Sequence, residues 1–194
     1  GVLEGHAGPV HAAALAPGGR LAVTGGTDRS VRVWDADTGT CLRVLEGHAD
    51  TVLAATLSPD GHRAVTVGAD RSVRVWDIAA GTCLRVLEGH TDWVTAVGLT
   101  FNGAHALSAG ADRVLRLWDL ADGTPLRTFI GHTDAVKTVA VAPGGRFAVS
   151  GGADGTVRVW DLSTRQGQRT FEGHAGVVKA VAVTPDGRFA VTGG

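Results

Sequence analysis

The chain has 194 residues, 44% of them hydrophobic and 19% charged, with a net charge of −1. These proportions suit a soluble globular chain with a sizeable core, and the balanced charge argues against nucleic acid or an anionic membrane as partner. No apolar run approaches the roughly 18 residues of a membrane span, and the start does not read as a secretory signal. Methionine is absent altogether, so Gly1 is not expected to be a native start.

Short strands separated by turn signals are predicted along the whole chain, and no segment carries a helical stripe. Gly1-Val2-Leu3-Glu4-Gly5-His6 matches only the tail of a strand seen complete further on, and the first turn falls at Ala16-Pro17-Gly18-Gly19. The second stretch is the clearest. Val52 to Leu57 is small and apolar and stops at Ser58-Pro59-Asp60-Gly61, where proline presets φ and glycine accepts a positive φ. Arg63 to Val67 predicts a second strand, closed by Gly68-Ala69-Asp70-Arg71. In Ser72 to Trp76, Val73 and Val75 alternate with Arg74 and Trp76, the period of two expected of a strand. Asp77 opens a turn through Ala80-Gly81, and Cys83 to Leu87 predicts a fourth strand. Next, Thr100-Phe101-Asn102-Gly103 contains Asn-Gly, which favours a tight hairpin. Ala142-Pro143-Gly144-Gly145 restores the first turn type, but Arg165-Gln166-Gly167-Gln168 is more polar than its counterparts. The last stretch runs from Val178 to Val183, turns at Thr184-Pro185-Asp186-Gly187 and reaches Thr192-Gly193-Gly194. Turn signals every 8–12 residues or so predict an antiparallel all-β fold, with no linker and no second domain.

The stretches are copies of one unit. Trp34, Trp76, Trp118 and Trp160 each stand fifth in a strand-like hexamer that closes on aspartate (Ser30 to Asp35, Ser72 to Asp77, Val114 to Asp119, Thr156 to Asp161) and fall 42 residues apart (76 − 34 = 42). Gly-His keeps the same step at His6, His48, His90, His132 and His174. A period of about 40–45 residues, with Gly-His early and Trp-Asp late, is the signature of four-stranded propeller blades. The chain therefore resembles the WD-repeat β-propeller family over its whole length. The resemblance implies blades over approximately 6–46, 48–88, 90–130 and 132–172 and a partial blade over 174–194, an incomplete ring of about 4.6 blades. Closed rings in the family usually have seven, roughly 294 residues at this period, and complete one blade with strands from both termini. Here the third strand of that blade is missing. We therefore expect a piece of a larger ring, or a chain that self-associates through open blade edges.

Each repeat holds a histidine, a hydroxyl, an aspartate and a tryptophan at fixed spacing. The sets are His6, Thr24, Asp28 and Trp34; His48, Thr66, Asp70 and Trp76; His90, Ser108, Asp112 and Trp118; and His132, Ser150, Asp154 and Trp160. The last repeat keeps His174 and Thr192. Nucleophile, base and orienter are the ingredients of acyl-transfer chemistry, but an active site needs one constellation, and this one recurs in every repeat. Serine and threonine also exchange freely, as suits a hydrogen-bond relay. The family resemblance implies a buried network from Trp to Ser/Thr to His to Asp, which satisfies the indole and imidazole and stiffens the blade. No catalytic residue is expected.

No metal or cofactor is expected either. His11, His62 and His105, the histidines outside Gly-His, have no ligand spacing. Gly25-Gly26 and Gly151-Gly152 lack the lysine and helix start of a phosphate loop. Arg32, Arg74, Arg116 and Arg158 read as strand-surface charges. Cys41 and Cys83 share one repeat position, too far apart for a disulfide, which needs Cα atoms within about 7 Å. They read as half-buried strand residues in a reducing compartment, and a cytoplasmic location is expected.

Function is expected where the repeats differ. In the family, ligands most often bind the face bearing the loops between strands four and one and between strands two and three. Three residues after the Gly-His histidine stand Pro9, Thr51, Trp93, Ala135 and Val177; five after it stand His11, Leu53, Thr95, Lys137 and Lys179. Between them Val10, Val52, Val94, Val136 and Val178 never vary, which predicts a packed residue between exposed neighbours. Trp93 is the one tryptophan outside the Trp-Asp positions, and Lys137 and Lys179 are the only lysines. Ile130 replaces the glutamate of Glu46, Glu88 and Glu172 just before Gly-His and is expected to add an apolar spot near the same face as Trp93. The expected activity is a non-enzymatic scaffold that binds a protein or peptide, an acidic one for the lysines. Two rivals stand beside it: a sensor or regulatory region of a larger bacterial signalling NTPase or kinase, and an engineered or repeat-amplified blade array without a native ligand.

Overall fold

The structure, a computed structural model, describes residues 2–164 and 167–194; Arg165 and Gln166 of the polar stretch noted above lie outside the described residues. Every regular element in it is a strand. The first sheet is β1 (Val10–Leu15), β2 (Leu21–Gly26), β3 (Val31–Asp35) and β4 (Thr40–Leu45). The second is β5 (Val52–Leu57), β6 (Arg63–Gly68), β7 (Val73–Asp77) and β8 (Thr82–Leu87). The third is β9 (Val94–Leu99), β10 (His105–Gly110), β11 (Val114–Asp119) and β12 (Pro125–Ile130). The fourth is β13 (Val136–Val141), β14 (Phe147–Gly152), β15 (Val157–Asp161) and β16 (Gly167–Phe171). A two-stranded pair ends the chain, β17 (Ala180–Val183) and β18 (Ala190–Gly193). In all five the strands pair antiparallel in sequence order, so each sheet is a meander. The first strands line up from sheet to sheet, β1 on β5, β5 on β9, β9 on β13 and β13 on β17, which gives an incomplete propeller.

The turns form where the sequence supplies their chemistry. Gly61 takes φ 71° in the turn after β5, a conformation that disfavours any side chain. The aspartate that ends each third strand caps the next turn: the Ala80 amide donates to Asp77 at 2.8 Å and the Ala121 amide to Asp119 at 2.7 Å.

Cores lie between sheets rather than within one. Val23, Val31, Val33 and Leu45 of the first sheet pack with Val52, Ala64 and Trp76 of the second. Leu107, Leu115, Leu117 and Phe129 of the third pack with Ala148 and Trp160 of the fourth. A single sheet thus cannot bury its own apolar faces, and each new sheet seals the previous one. Val52, Val94, Val136 and Val178 are the pegs of these seams, all fully buried. Val52 fits over Gly25 so closely that a Cβ there would fall 2.5 Å from the Val52 Cγ1. Val10 departs from the expectation of a packed residue and is 49% exposed, since among the described residues no other sheet packs over it. The first residues are not a strand, yet Leu3 stands toward Gly39 as Leu45 stands toward Gly81, each Cδ2 being 3.9 Å from where a Cβ would be. The tail thus occupies the place of a fourth strand.

Candidate functional site

Two sets of residues compete for the name of site, one buried and repeated, the other exposed and varied. In the buried set the second strand carries the hydroxyl, the third the tryptophan, and the loop leading to the first strand the histidine. In the second sheet the Trp76 indole N–H donates to Thr66 Oγ1 at 2.8 Å, and Thr66 Oγ1 lies 2.8 Å from His48 Nε2. His48 Nδ1 lies 2.8 Å from Asp70. An ionised carboxylate only accepts, so Nδ1 carries the proton, Nε2 accepts, and the hydroxyl donates to it. The same chain holds in the first sheet (Trp34 to Thr24, 2.7 Å; Thr24 to His6, 2.7 Å) and in the third (Trp118 to Ser108, 2.8 Å; Ser108 to His90, 2.7 Å). The fourth repeats it, with Trp160 to Ser150 at 2.8 Å and Ser150 to His132 at 2.7 Å. Asp28, Asp112 and Asp154 each accept from their histidine at 2.9 Å.

This has the polarity of a Ser-His-Asp triad, yet the hydroxyl is spent. Its oxygen accepts the indole proton and its own proton goes to the imidazole. Thr66, Ser108 and Ser150 have no exposed surface, so a substrate carbonyl has no way in. The electrostatics fit a neutral imidazole against a charged carboxylate. Burial lowers the His132 pKa, against the opposing pull of Asp154. Burial would raise Asp28, but donation from the Ala7 amide, His6 and Ser30 outweighs it and holds the carboxyl at about 2. Asp70, Asp112 and Asp154 are lowered against burial in the same way.

Sequence reasoning missed two members. The amide after each histidine donates to the aspartate, as Ala49 does to Asp70 at 2.9 Å. The hydroxyl that opens the tryptophan hexamer also donates to it: Ser30 at 3.0 Å, Ser72 at 2.8 Å and Thr156 at 2.8 Å. Hydroxyl residues at this position in three repeats, with Val114 in the other, were the available signal. The arginines differ from their reading as surface charges. Arg32, Arg74, Arg116 and Arg158 are half-buried, and their Nε atoms are enclosed with no hydrogen-bond partner among the described residues. The Arg74 guanidinium lies where a Cβ on Gly47 would be, 2.9 Å from that point, and Gly47 has φ 153°. Space and backbone together require the glycine of Gly-His.

The exposed set sits at the starts of the first strands. His11, Leu53, Thr95 and Lys137 are each the extra residue of a β-bulge, since the pairing of β1, β5, β9 and β13 with their second strands shifts at that residue. A bulge re-aims a side chain without moving the strands, and simple alternation from sequence could not place it. His11, Lys137 and Lys179 are exposed. Leu53 and Thr95 are half-buried, and the Thr95 hydroxyl turns inward to the Val136 carbonyl at 2.5 Å and the Ala109 carbonyl at 3.1 Å. Thr95 is thus a tie between the third and fourth sheets more than a free contact.

Trp93 stands two residues before that tie. Its amide donates to Asp92 Oδ1 at 2.7 Å and its carbonyl accepts from the Ala111 amide at 2.8 Å, so the backbone is pinned while the indole is 55% exposed. The same carbonyl bond recurs at Pro9, Thr51 and Ala135, which makes the position a fixed mount for a variable side chain. Through Thr95 and Val136 the structure brings the strand start that bears Trp93 beside the one that bears Lys137. Ile130, 79% exposed, ends the outermost strand β12. Three strand spacings, about 14 Å, separate it from the line of β9. Among the described residues no three His, Cys, Asp or Glu side chains gather as metal ligands, and no helix is long and apolar enough to cross a membrane.

Consecutive four-stranded sheets joined face to face along their first strands, each with its own indole-to-carboxylate relay, define an incomplete β-propeller. The chain belongs to the family described as WD domain, G-beta repeat, whose model matches residues 1–35, 39–77, 81–119, 123–161 and 165–194. Each complete match spans the fourth strand of one sheet and the first three of the next, so the sequence unit straddles a seam. Domains of this kind are protein-interaction scaffolds. A search of curated proteins gives no match.

Proposed function

We propose that the chain is a non-enzymatic, cytoplasmic scaffold that holds a protein or peptide on the face bearing Trp93. The observation that carries this is the Trp93 indole, more than half exposed on a backbone fixed at both its amide and its carbonyl. A large ring presented rigidly costs little entropy on binding, and tryptophan is a favoured anchor of interfaces. Lys137 stands at the strand start of the adjoining sheet and Lys179 at that of the sheet after it, so an acidic peptide is the favoured ligand; His11 and Leu53 extend the surface the other way. Ile130 at the rim would add a separate apolar contact. The cytoplasmic part of the proposal rests on Cys41 and Cys83, which are unbonded thiols.

The test is an array of acidic peptides probed with the wild-type chain, followed by calorimetry on the best binder. Trp93→Ala combined with Lys137→Ala should weaken that binder by about 30-fold or more, with the melting temperature nearly unchanged. Equal affinity in the double variant would remove the assignment.

A further inference from the structure

We propose that the seam between the third and fourth sheets binds an extended peptide of a partner protein, on the face opposite Trp93, through an acidic and an aromatic residue four positions apart. Phe101 marks the place in the sequence. The matching turn positions of the other repeats hold Pro17, Pro59, Pro143 and Pro185, and Phe101 in their stead is 73% exposed. Its turn is fixed: the Thr100 hydroxyl donates to Asn102 Oδ1 at 2.7 Å, and the Ala104 amide donates to the same oxygen at 3.1 Å. Phe101, Asn102 and Pro143 line a hollow of about 500 Å³. A second hollow, of about 410 Å³, is lined by the buried Leu117 and Leu162 and by Leu126 and Arg127. The two share Thr100, His105, Gly144 and Gly145, so they form one groove. It runs from the turn after β9 to the start of β12, three strand spacings or about 14 Å away, the reach of about four extended residues.

Arg127 decides the chemistry of the occupant. In the two preceding seams the matching arginines cross to the next sheet, Arg43 to the Ala79 carbonyl at 3.4 Å and Arg85 to the Ala121 carbonyl at 3.1 Å. The corresponding carbonyl for Arg127 is that of Ser163, which lines the same hollow, yet Arg127 has no hydrogen bond or ion pair among the described residues. It is half-buried, so its guanidinium is a cation in partly dried surroundings, where a carboxylate is held more strongly than in open water. The carboxylates nearby are already offset: Asp161 receives Arg146 at 3.4 Å, and Asp119 stands 4.0 Å from His105 Nε2. At the other end Phe101 and Pro143 offer an apolar pair for a ring. Between the two ends Gly144 presents no side chain, and a Cβ there would meet nothing within 4 Å, which leaves room for a backbone to pass. Asn102, whose Oδ1 is engaged, keeps its amide nitrogen to donate to that backbone. With its cation and its ring at opposite ends, the groove suits an extended chain better than a small anion, which would use Arg127 alone.

The experiment selects a displayed library of nine-residue peptides on the immobilised 194-residue chain, then measures the enriched peptides by fluorescence anisotropy. Aspartate or glutamate four residues from phenylalanine, tyrosine or tryptophan is the expected enrichment. Phe101→Pro restores the residue of the other four repeats and takes no backbone donor from the turn; it should weaken binding about tenfold or more. Arg127→Gln should cost about as much, and Gly144→Glu should abolish binding by filling the groove with a like charge. Trp93→Ala should leave binding unchanged, which separates this groove from the opposite face. Melting by circular dichroism should match wild type in Phe101→Pro and Arg127→Gln; should either melt early, Gly144→Glu decides in its place. The proposal is overturned if no such pair is enriched, if the variants bind the enriched peptides as well as wild type, or if Trp93→Ala abolishes their binding. It is equally overturned if alanine in place of the peptide's aromatic residue changes nothing, since a small anion would then satisfy the site.

Discussion

The third sheet and the terminal strand pair begin alike and end differently. Val94 and Val178 are both fully buried pegs, and His90 and His174 both reach the hydroxyl of the second strand, at 2.7 and 2.8 Å. From there they diverge. Ser108 and Ala106 have no exposed surface, while Thr192 is half-buried and Ala190 exposed. In both places the peg and the histidine join the first two strands to the preceding sheet. The third strand, with its indole, excludes water from the relay and turns a docked hairpin into a sealed blade. A hydrogen bond gains weight as its surroundings dry, so the same four residue types should carry different energies in the two places.

Acid is expected to have the largest effect, because it acts on every complete relay at once. Asp28, Asp70, Asp112 and Asp154 have folded pKa values below their ordinary 3.8, Asp28 at about 2. The unfolded chain therefore binds protons first as pH falls, and the stability these carboxylates contribute is present above about pH 4 and lost toward pH 2. His132, lowered from 6.5, has the same sign and begins the decline as pH drops through 6.5. Melting temperatures by circular dichroism should be level above pH 7, sag toward pH 5 and fall steeply below pH 4. A curve flat to pH 3 would mean that the relays carry no net stability. Trp118→Ala comes next, at about 3–5 kcal/mol in urea unfolding, since it empties a sealed seam and leaves Ser108 short of a donor. His90→Ala should cost about 1–3 kcal/mol by stranding Ser108 and Asp112.

How much of this was legible beforehand follows from what repeats. Trp76, Thr66, His48 and Asp70 recur at one spacing, which marked them as a repeated and not a catalytic set; their order of bonding came from the family resemblance, while the strands around them were read from turns and alternation. The pegs were legible for the same reason, apart from Val10, whose exposure depends on a neighbouring sheet and not on its own repeat. The bulge at Thr95 was not legible, because an extra residue in one strand becomes visible only when its pairing is known. Nor was the inward turn of the Thr95 hydroxyl, which needs the Val136 carbonyl of another sheet. Ile130 was expected near the face of Trp93, but it ends β12, at the other side of the sheet from β9, and that separation depends on strand order across a sheet. Arg74 misled because alternation gives a side and not a depth: the guanidinium folds back over Gly47.

The smallest expected effect is the most discriminating. His174→Ala removes the same bond as His90→Ala, but from a site where Thr192 is half open to water and regains a partner there. Its cost should stay within about 0.5 kcal/mol, as at other surface positions, and it should be invisible in the main urea transition. Amide exchange of Lys179, whose N–H donates to the Gly193 carbonyl at 2.8 Å, would report the local effect. A loss equal to that of His90→Ala would mean that the terminal pair is as sealed as a complete blade. The third strand would then not be what dries the relay.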